Sequence, residues 1–91
     1  MALVHRLVTL SDTTPTEIVG WDNEPHEVHL HNMTKSSNEY IYFGSSAVGT
    51  GNAPHIDPGE SITLTLGPGD RLYAISDPDG LEVGVLDIRK T

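Results

Sequence analysis

Five histidines in 91 residues are the first candidates for chemistry, and three stand together as His26, His29 and His31. In an extended strand His29 and His31 project from one face, and Val28 and Leu30 from the other. Two imidazoles at that spacing can ligate zinc, copper or iron once a neighbouring strand supplies a third ligand. Glu24 and Glu27 are the nearest carboxylates that could join them. The same pattern suits the polar face of a strand, or an interface. In a trimer these histidines would meet near the threefold axis.

Other chemistry is harder to assemble. Asp77-Pro78-Asp79-Gly80 begins like a calcium-binding loop, but Leu81 stands where that loop needs a fifth-position oxygen ligand, so a plain turn is expected. There is no nucleophile elbow, phosphate-binding loop or dinucleotide fingerprint. There is no cysteine, and no Ser/His/Asp set stands out. Neither an enzyme nor a cofactor is expected. Tyr40 and Tyr42 share one face of a strand, and with Trp21 they are the candidates for contact with a glycan. Cross-strand packing is the competing reading of the two tyrosines.

His29-Leu30-His31 and the Pro58-Gly59-Glu60 turn are similar to pieces of the cupin motifs, in which a small β-barrel holds a metal. The resemblance is partial. Cupins place a carboxylate ligand four or five residues after the second histidine, where this chain has Lys35 and Ser36. The histidine that should follow the turn is replaced by Ile62, Thr63 and Leu64. No metal is expected, although His29 and His31 remain the candidates for one. A cupin-like metal-binding protein is kept as an alternative.

The elements that must position these residues are strands. Nine glycines and six prolines punctuate short apolar runs, and no window shows helical spacing of its apolar residues. Strands are expected at 2–10, 17–20, 27–32, 40–43, 61–66, 71–76 and 81–88. Their spacing predicts an all-β domain: a small antiparallel β-sandwich or jelly roll of about seven to eight strands. In 61–66, Ile62, Leu64 and Leu66 share one face and Ser61, Thr63 and Thr65 the other. The terminal strands alternate less cleanly. Leu3 and Leu7 oppose Val4 and Val8, and the apolar parity of the last strand switches at Leu86 and Ile88. Either a β-bulge near Val85 or apolar cover on both faces would explain the switch.

The turns have local causes. Asp57-Pro58-Gly59-Glu60 and Gly67-Pro68-Gly69-Asp70 suit type II turns, with glycine at the position needing positive φ. Asp77-Pro78-Asp79-Gly80 suits a type I turn with a bulged glycine, which would pair 71–76 with 81–88 as a hairpin. The loop 44–52 reads as mobile, or as ordered only against a partner.

Thirteen acids against five bases give a net charge of −8. No basic stripe follows a phosphate backbone, so nucleic-acid binding is not expected. No apolar run is long enough for a membrane span, and residues 1–10 read as a strand rather than a signal peptide. Residues 1–91 are expected to form a single domain. A domain this small, without disulfides, is helped by self-association. Residues 1–10 are the candidate contact arm between subunits.

Three stretches of 40–76 carry a family resemblance. Tyr42-Phe43-Gly44-Ser45-Ser46-Ala47-Val48 runs from an aromatic strand into a Gly-Ser loop. Pro58-Gly59-Glu60-Ser61-Ile62-Thr63-Leu64 opens a strand from a turn, and Gly67-Pro68-Gly69-Asp70-Arg71-Leu72-Tyr73-Ala74-Ile75 does so again. Together they resemble small capsid-associated (decoration or head-fibre-like) virion proteins of tailed bacteriophages. The resemblance implies a decoration, or cement, protein on the capsid exterior. Its partner would be the major capsid protein, and it would self-associate as a homotrimer. Leu3, Val4, Leu7, Val8, Ser45, Ser46 and Val48 are then the expected capsid or subunit contacts. A tail or head-fibre module binding host surface glycan is the alternative within the same setting.

Overall fold

The computed structural model describes residues 2–89. Met1, Lys90 and Thr91, which the single-domain reading includes, lie outside the described residues. Eight strands form: β1 (Ala2–Thr9), β2 (Thr16–Val19), β3 (His26–Asn32), β4 (Tyr40–Gly44), β5 (His55–Ile56), β6 (Ser61–Leu66), β7 (Leu72–Asp77) and β8 (Glu82–Arg89). No helix forms among the described residues. The strands make two four-stranded antiparallel sheets, ordered β1-β8-β3-β6 and β2-β7-β4-β5. The all-β sandwich expected from the sequence is what forms.

The connectivity is a nested hairpin. β4 pairs with β5, β3 with β6, β2 with β7 and β1 with β8. The long ribbon folds over on itself and is closed by β3 against β8 and β4 against β7. This is the strand order of a jelly roll. β5, two residues long, is the strand the sequence did not signal.

Alternation decides what each sheet buries. In the first sheet Val28, Leu30, Val83 and Val85 point inward. They meet Ile18, Ile41, Ile56, Leu72 and Ala74 of the second sheet in one core. Ile62 and Leu64 pack against that core, while Ser61, Thr63 and Thr65 are exposed, as their alternation predicted.

Two local expectations are corrected. The register of β8 with both neighbours runs without a shift, so there is no bulge near Val85. The inward position after Val85 is Asp87, buried against His26 with Nδ1 and Oδ1 2.6 Å apart. The core ends in a polar pair, and Leu86 and Ile88 simply lie on the outer face. The second correction concerns residues 77–80. β7 and β8 lie in different sheets, so this stretch is a corner between sheets and not a hairpin. Its Asp77-Pro78 bond is cis, and Gly80 takes the positive φ of 86°. The corner is bonded to the β1–β2 connection: the Gly80 amide donates to Leu10 O (2.9 Å), the Leu10 amide to Leu81 O (2.8 Å) and the Asp12 amide to Asp79 Oδ1 (3.0 Å). The other two turns form as expected. Gly59 and Gly69 take φ of 77° and 81°. The Glu60 amide reaches Asp57 O at 3.0 Å, and the Asp70 amide reaches Gly67 O at 3.2 Å.

Asn32 ties the two sheets together at the last residue of β3. Its side chain is fully buried. Nδ2 donates to Glu39 O (2.9 Å) and to Ile56 O (3.0 Å), the latter in the opposite sheet. Oδ1 accepts from the Thr34 amide (3.1 Å) and the Thr34 hydroxyl (2.9 Å). Both donors and both acceptor sites of the amide are used. Asn32→Ala would strand buried partners and is expected to cost about 3 kcal/mol. In a domain this size that lowers the melting temperature by roughly 12–24 °C. Thermal unfolding followed by circular dichroism measures it; a loss below about 1 kcal/mol would mean that water replaces these bonds.

Candidate assembly surface

The outer face of the β1-β8-β3-β6 sheet is built in rows set by the register. Leu7, Gly84, His31 and Ser61 form one row; His5, Leu86, His29 and Thr63 the next; Leu3, Ile88, Glu27 and Thr65 the third. Strand alternation sends all of these side chains away from the core. Leu3 is 63% exposed and Leu7 55% exposed. Among strand residues on this face only Glu27 and Glu82 are acidic, one at each end. On a chain with net charge −8 this is a carboxylate-poor surface.

Gly84 makes a shallow depression in its middle. A Cβ at that position would lie 3.1 Å from Met33 Sδ and 3.8 Å from His31 Cβ, so Met33 settles where a side chain would otherwise stand. The depression has a volume of about 340 Å3, and Leu7, Leu86, His5 and His29 are part of its lining. Met33 was not singled out by the sequence; it follows β3 directly, beyond the strand's alternation.

The histidines divide by face. His29 and His31 point outward, away from the sandwich interior. The Thr63 hydroxyl lies 2.8 Å from His29 Nδ1, and Nε2 lies 3.1 Å from Glu27 Oε1. A neutral ring with its proton on Nε2 satisfies both contacts, accepting from Thr63 and donating to Glu27. Among the described residues no three His, Cys, Asp or Glu side chains are grouped to hold a metal. The ligand set of the cupin comparison is therefore not brought together. His26, which the sequence placed beside the other two, is instead inside the core with Asp87. Its Nε2 is buried without a hydrogen-bond partner among the described residues. The parity it shares with Val28 and Leu30 is the signal that could have placed it.

The aromatic candidates do not form one platform. Tyr40 and Tyr42 lie on the outer face of the second sheet and flank His55, with ring centroids 5.1 and 5.5 Å away. Trp21 covers Gly69 just before β7 begins, whereas Tyr40 pairs with Asp77 at the end of β7. At ~3.3 Å per residue these positions are separated by most of the strand's length. The competing reading of the tyrosines, cross-strand packing, fits these contacts.

The loop 44–52 is corrected from mobile or partner-ordered to self-ordered. The Val48 amide donates to Ser45 O (3.0 Å), the Gly49 amide to Asn52 Oδ1 (2.7 Å), and Asn52 Nδ2 to Ala47 O (3.2 Å). Val48 is only 6% exposed. It anchors the loop and is not a presented contact, while Ser45 and Ser46 stand exposed at the tip. Of the β1 candidates, Leu3, Val4 and Leu7 are exposed and Val8 packs partly against the core. Next to β6, hydrogen bonding to Asp57 and its negative charge hold Glu60 above the ordinary carboxylate value, with His55 pulling the other way.

No family model matches the chain, and no curated protein matches it. Among solved structures, a chain from Bacillus endospore appendages, described as a novel family of disulfide-linked pili, is similar in fold. It superposes with a TM-score of 0.57 at 15% identity, over 99% of this chain and 87% of that one. At that identity the likeness is one of fold, and this chain carries no cysteine with which to form a disulfide.

Proposed function

We propose that the chain is a bacteriophage capsid decoration, or cement, protein that binds the outer capsid surface as an oligomer and stabilises the shell. The observation that carries this reading is the carboxylate-poor outer face of the β1-β8-β3-β6 sheet, with Leu3 and Leu7 exposed on it, on an otherwise acidic molecule. Large apolar side chains left exposed on such a face mark a contact surface. The wording of 40–76 supplies the setting. The sandwich supports it as a scaffold whose turns and loop are held by their own bonds.

The mechanism is mass action. A protein that binds assembled capsomers better than free subunits stabilises the shell by linkage, with no chemical step. Repetition of the subunit raises the strength of attachment without a new type of contact. The carboxylates elsewhere on the surface suit the solvent side of a capsid and would be repelled by packaged DNA. The partner is the major capsid protein, and the location is the capsid exterior.

Titration of the protein onto shells of the major capsid protein from the same genome is expected to raise the shell's melting temperature saturably. Shells that melt unchanged at saturating protein would refute the reading. Met33→Asp puts a carboxylate beside the Gly84 depression, at a side chain that is 47% exposed. It is expected to weaken shell binding by at least ~10-fold, the scale of one lost apolar contact plus charge desolvation. The variant's own melting temperature should stay near that of the parent protein; unchanged binding would remove this face from the docking surface.

A further inference from the structure

Four strands form the sheet edges: β1 and β6 in one sheet, β2 and β5 in the other. Three are blunted in ways that natural edges use. β5 is two residues long. β2 has four residues and a register irregularity between Glu17 and Val19. β6 lies between two proline-glycine turns and shows only Ser61, Thr63 and Thr65 outward. β1 differs. It is eight residues long, contains no proline, and pairs with β8 along its whole length without a shift. It carries Leu3, Val4 and Leu7, all exposed.

β1 also overhangs on both faces. Leu3 and Leu7 are uncovered outside, while Val4 and Arg6 are uncovered on the inward face. Arg6 reaches across to the Ile18 carbonyl and tacks β1 to β2, the neighbouring edge of the other sheet. The strand is thus held in place with its outer backbone edge unpaired among the described residues and apolar residues on both sides of it. None of its residues is acidic. On a chain of net charge −8, this edge is one along which two copies can approach without opposing carboxylates.

We propose that β1 pairs antiparallel with β1 of a second copy about a twofold axis, joining two sheets into one continuous sheet. Antiparallel pairing sets outward residues opposite outward residues, which restricts the registers. With His5 on the axis, Leu3 of each copy lies opposite Leu7 of the other, and Val4 lies opposite Arg6. A shift toward the C-terminus puts Arg6 opposite Arg6, a like-charge pair. A shift toward the N-terminus leaves Leu7 without a partner within the described strand. The register centred on His5 is the self-complementary one. It replaces the expected trimer by an isologous dimer. It stands apart from the capsid reading, though it would place two outer faces side by side.

The contact involves about eight residues a side, against the 20–30 of a standard interface, so the dimer is concentration-dependent. The lack of cysteine allows a direct test. Facing Cα atoms in an antiparallel pair are about 4.5–5.5 Å apart, within disulfide range. His5→Cys, at an exposed site, is expected to oxidise to a covalent dimer at least ~10-fold faster than His29→Cys, since pairing raises the effective concentration of the thiols. Sedimentation of the parent protein should pass from monomer to dimer with concentration. Leu3→Lys with Leu7→Lys should hold it monomeric, with its melting temperature little changed. Equal oxidation rates at positions 5 and 29, a trimer in place of the dimer, or a parent protein monomeric up to ~1 mM would each overturn the proposal.

Discussion

The buried amide of Asn32 is the constraint on which the rest depends. A jelly roll is one long ribbon folded over, and a pin at the fold-over adds to what the shared apolar core holds between its two sheets. Asn32 lies in β3 and donates to Ile56 in β5, across the sandwich. It also donates to Glu39, just before β4, and accepts twice from Thr34. The crossing from one sheet to the other at 33–39 therefore has its ends held by one side chain. The backbone at the same residue adds to this: the Asn32 amide donates to Glu60 O and its carbonyl accepts from Gly59. An apolar residue of similar size would fill the space and leave these groups unpaired, at the cost of burying polar groups without partners.

β3 makes the logic of the core visible. Its inward residues are His26, Val28, Leu30 and Asn32. The two apolar ones sit in the middle, and a polar one closes each end. His26 with Asp87 does at one end what Asn32 does at the other, though less completely, because Nε2 of His26 has no hydrogen-bond partner among the described residues. The apolar stretch of β3 is thus short, two residues long, and bracketed by directional bonds. Directional bonds at both ends favour one register, since a slip by one residue would bury Glu27, His29 and His31 instead.

The fold was legible where alternation was simple, as in β6, and where glycine had one conformational task, as at Gly59 and Gly69. It was misread where a polar residue sat inside. Asp87 looked like the end of an apolar pattern, so the parity change at Leu86 suggested a bulge. His26 and Asn32 were missed as interior residues, because sequence patterns rank polar types as exposed. The hairpin expected at 77–80 failed for another reason. Turn chemistry reports the local chain reversal, not which sheet the chain enters next, and that choice is made by the nested pairing of β2 with β7 and β1 with β8. The outer positions of Leu3 and Leu7 were legible as apolar residues. Residues 1–10 were also named as a contact arm; that β1 is a sheet edge was not legible, because it depends on how the strands pair.

That edge position follows from the topology. In a nested ribbon the first strand pairs with the last, and the last is also closed against β3. β8 therefore has two neighbours and β1 has one. The second sheet repeats the pattern with β7 inside and β2 at the edge. There the chain blunts the edge with a short, irregular strand. In the first sheet it sets eight regular residues in the same position and leaves their leucines uncovered. Burial of those leucines within one copy would need further chain beyond the edge, and the fold provides none among the described residues. A strand that is regular, apolar and half-paired is costly to keep in water and costs little to extend. The same placement sets Leu3 and Ile88 on one face with Leu7 and Gly84, the row of His5 and Leu86 lying between them, so edge and face belong to a single surface facing away from the core.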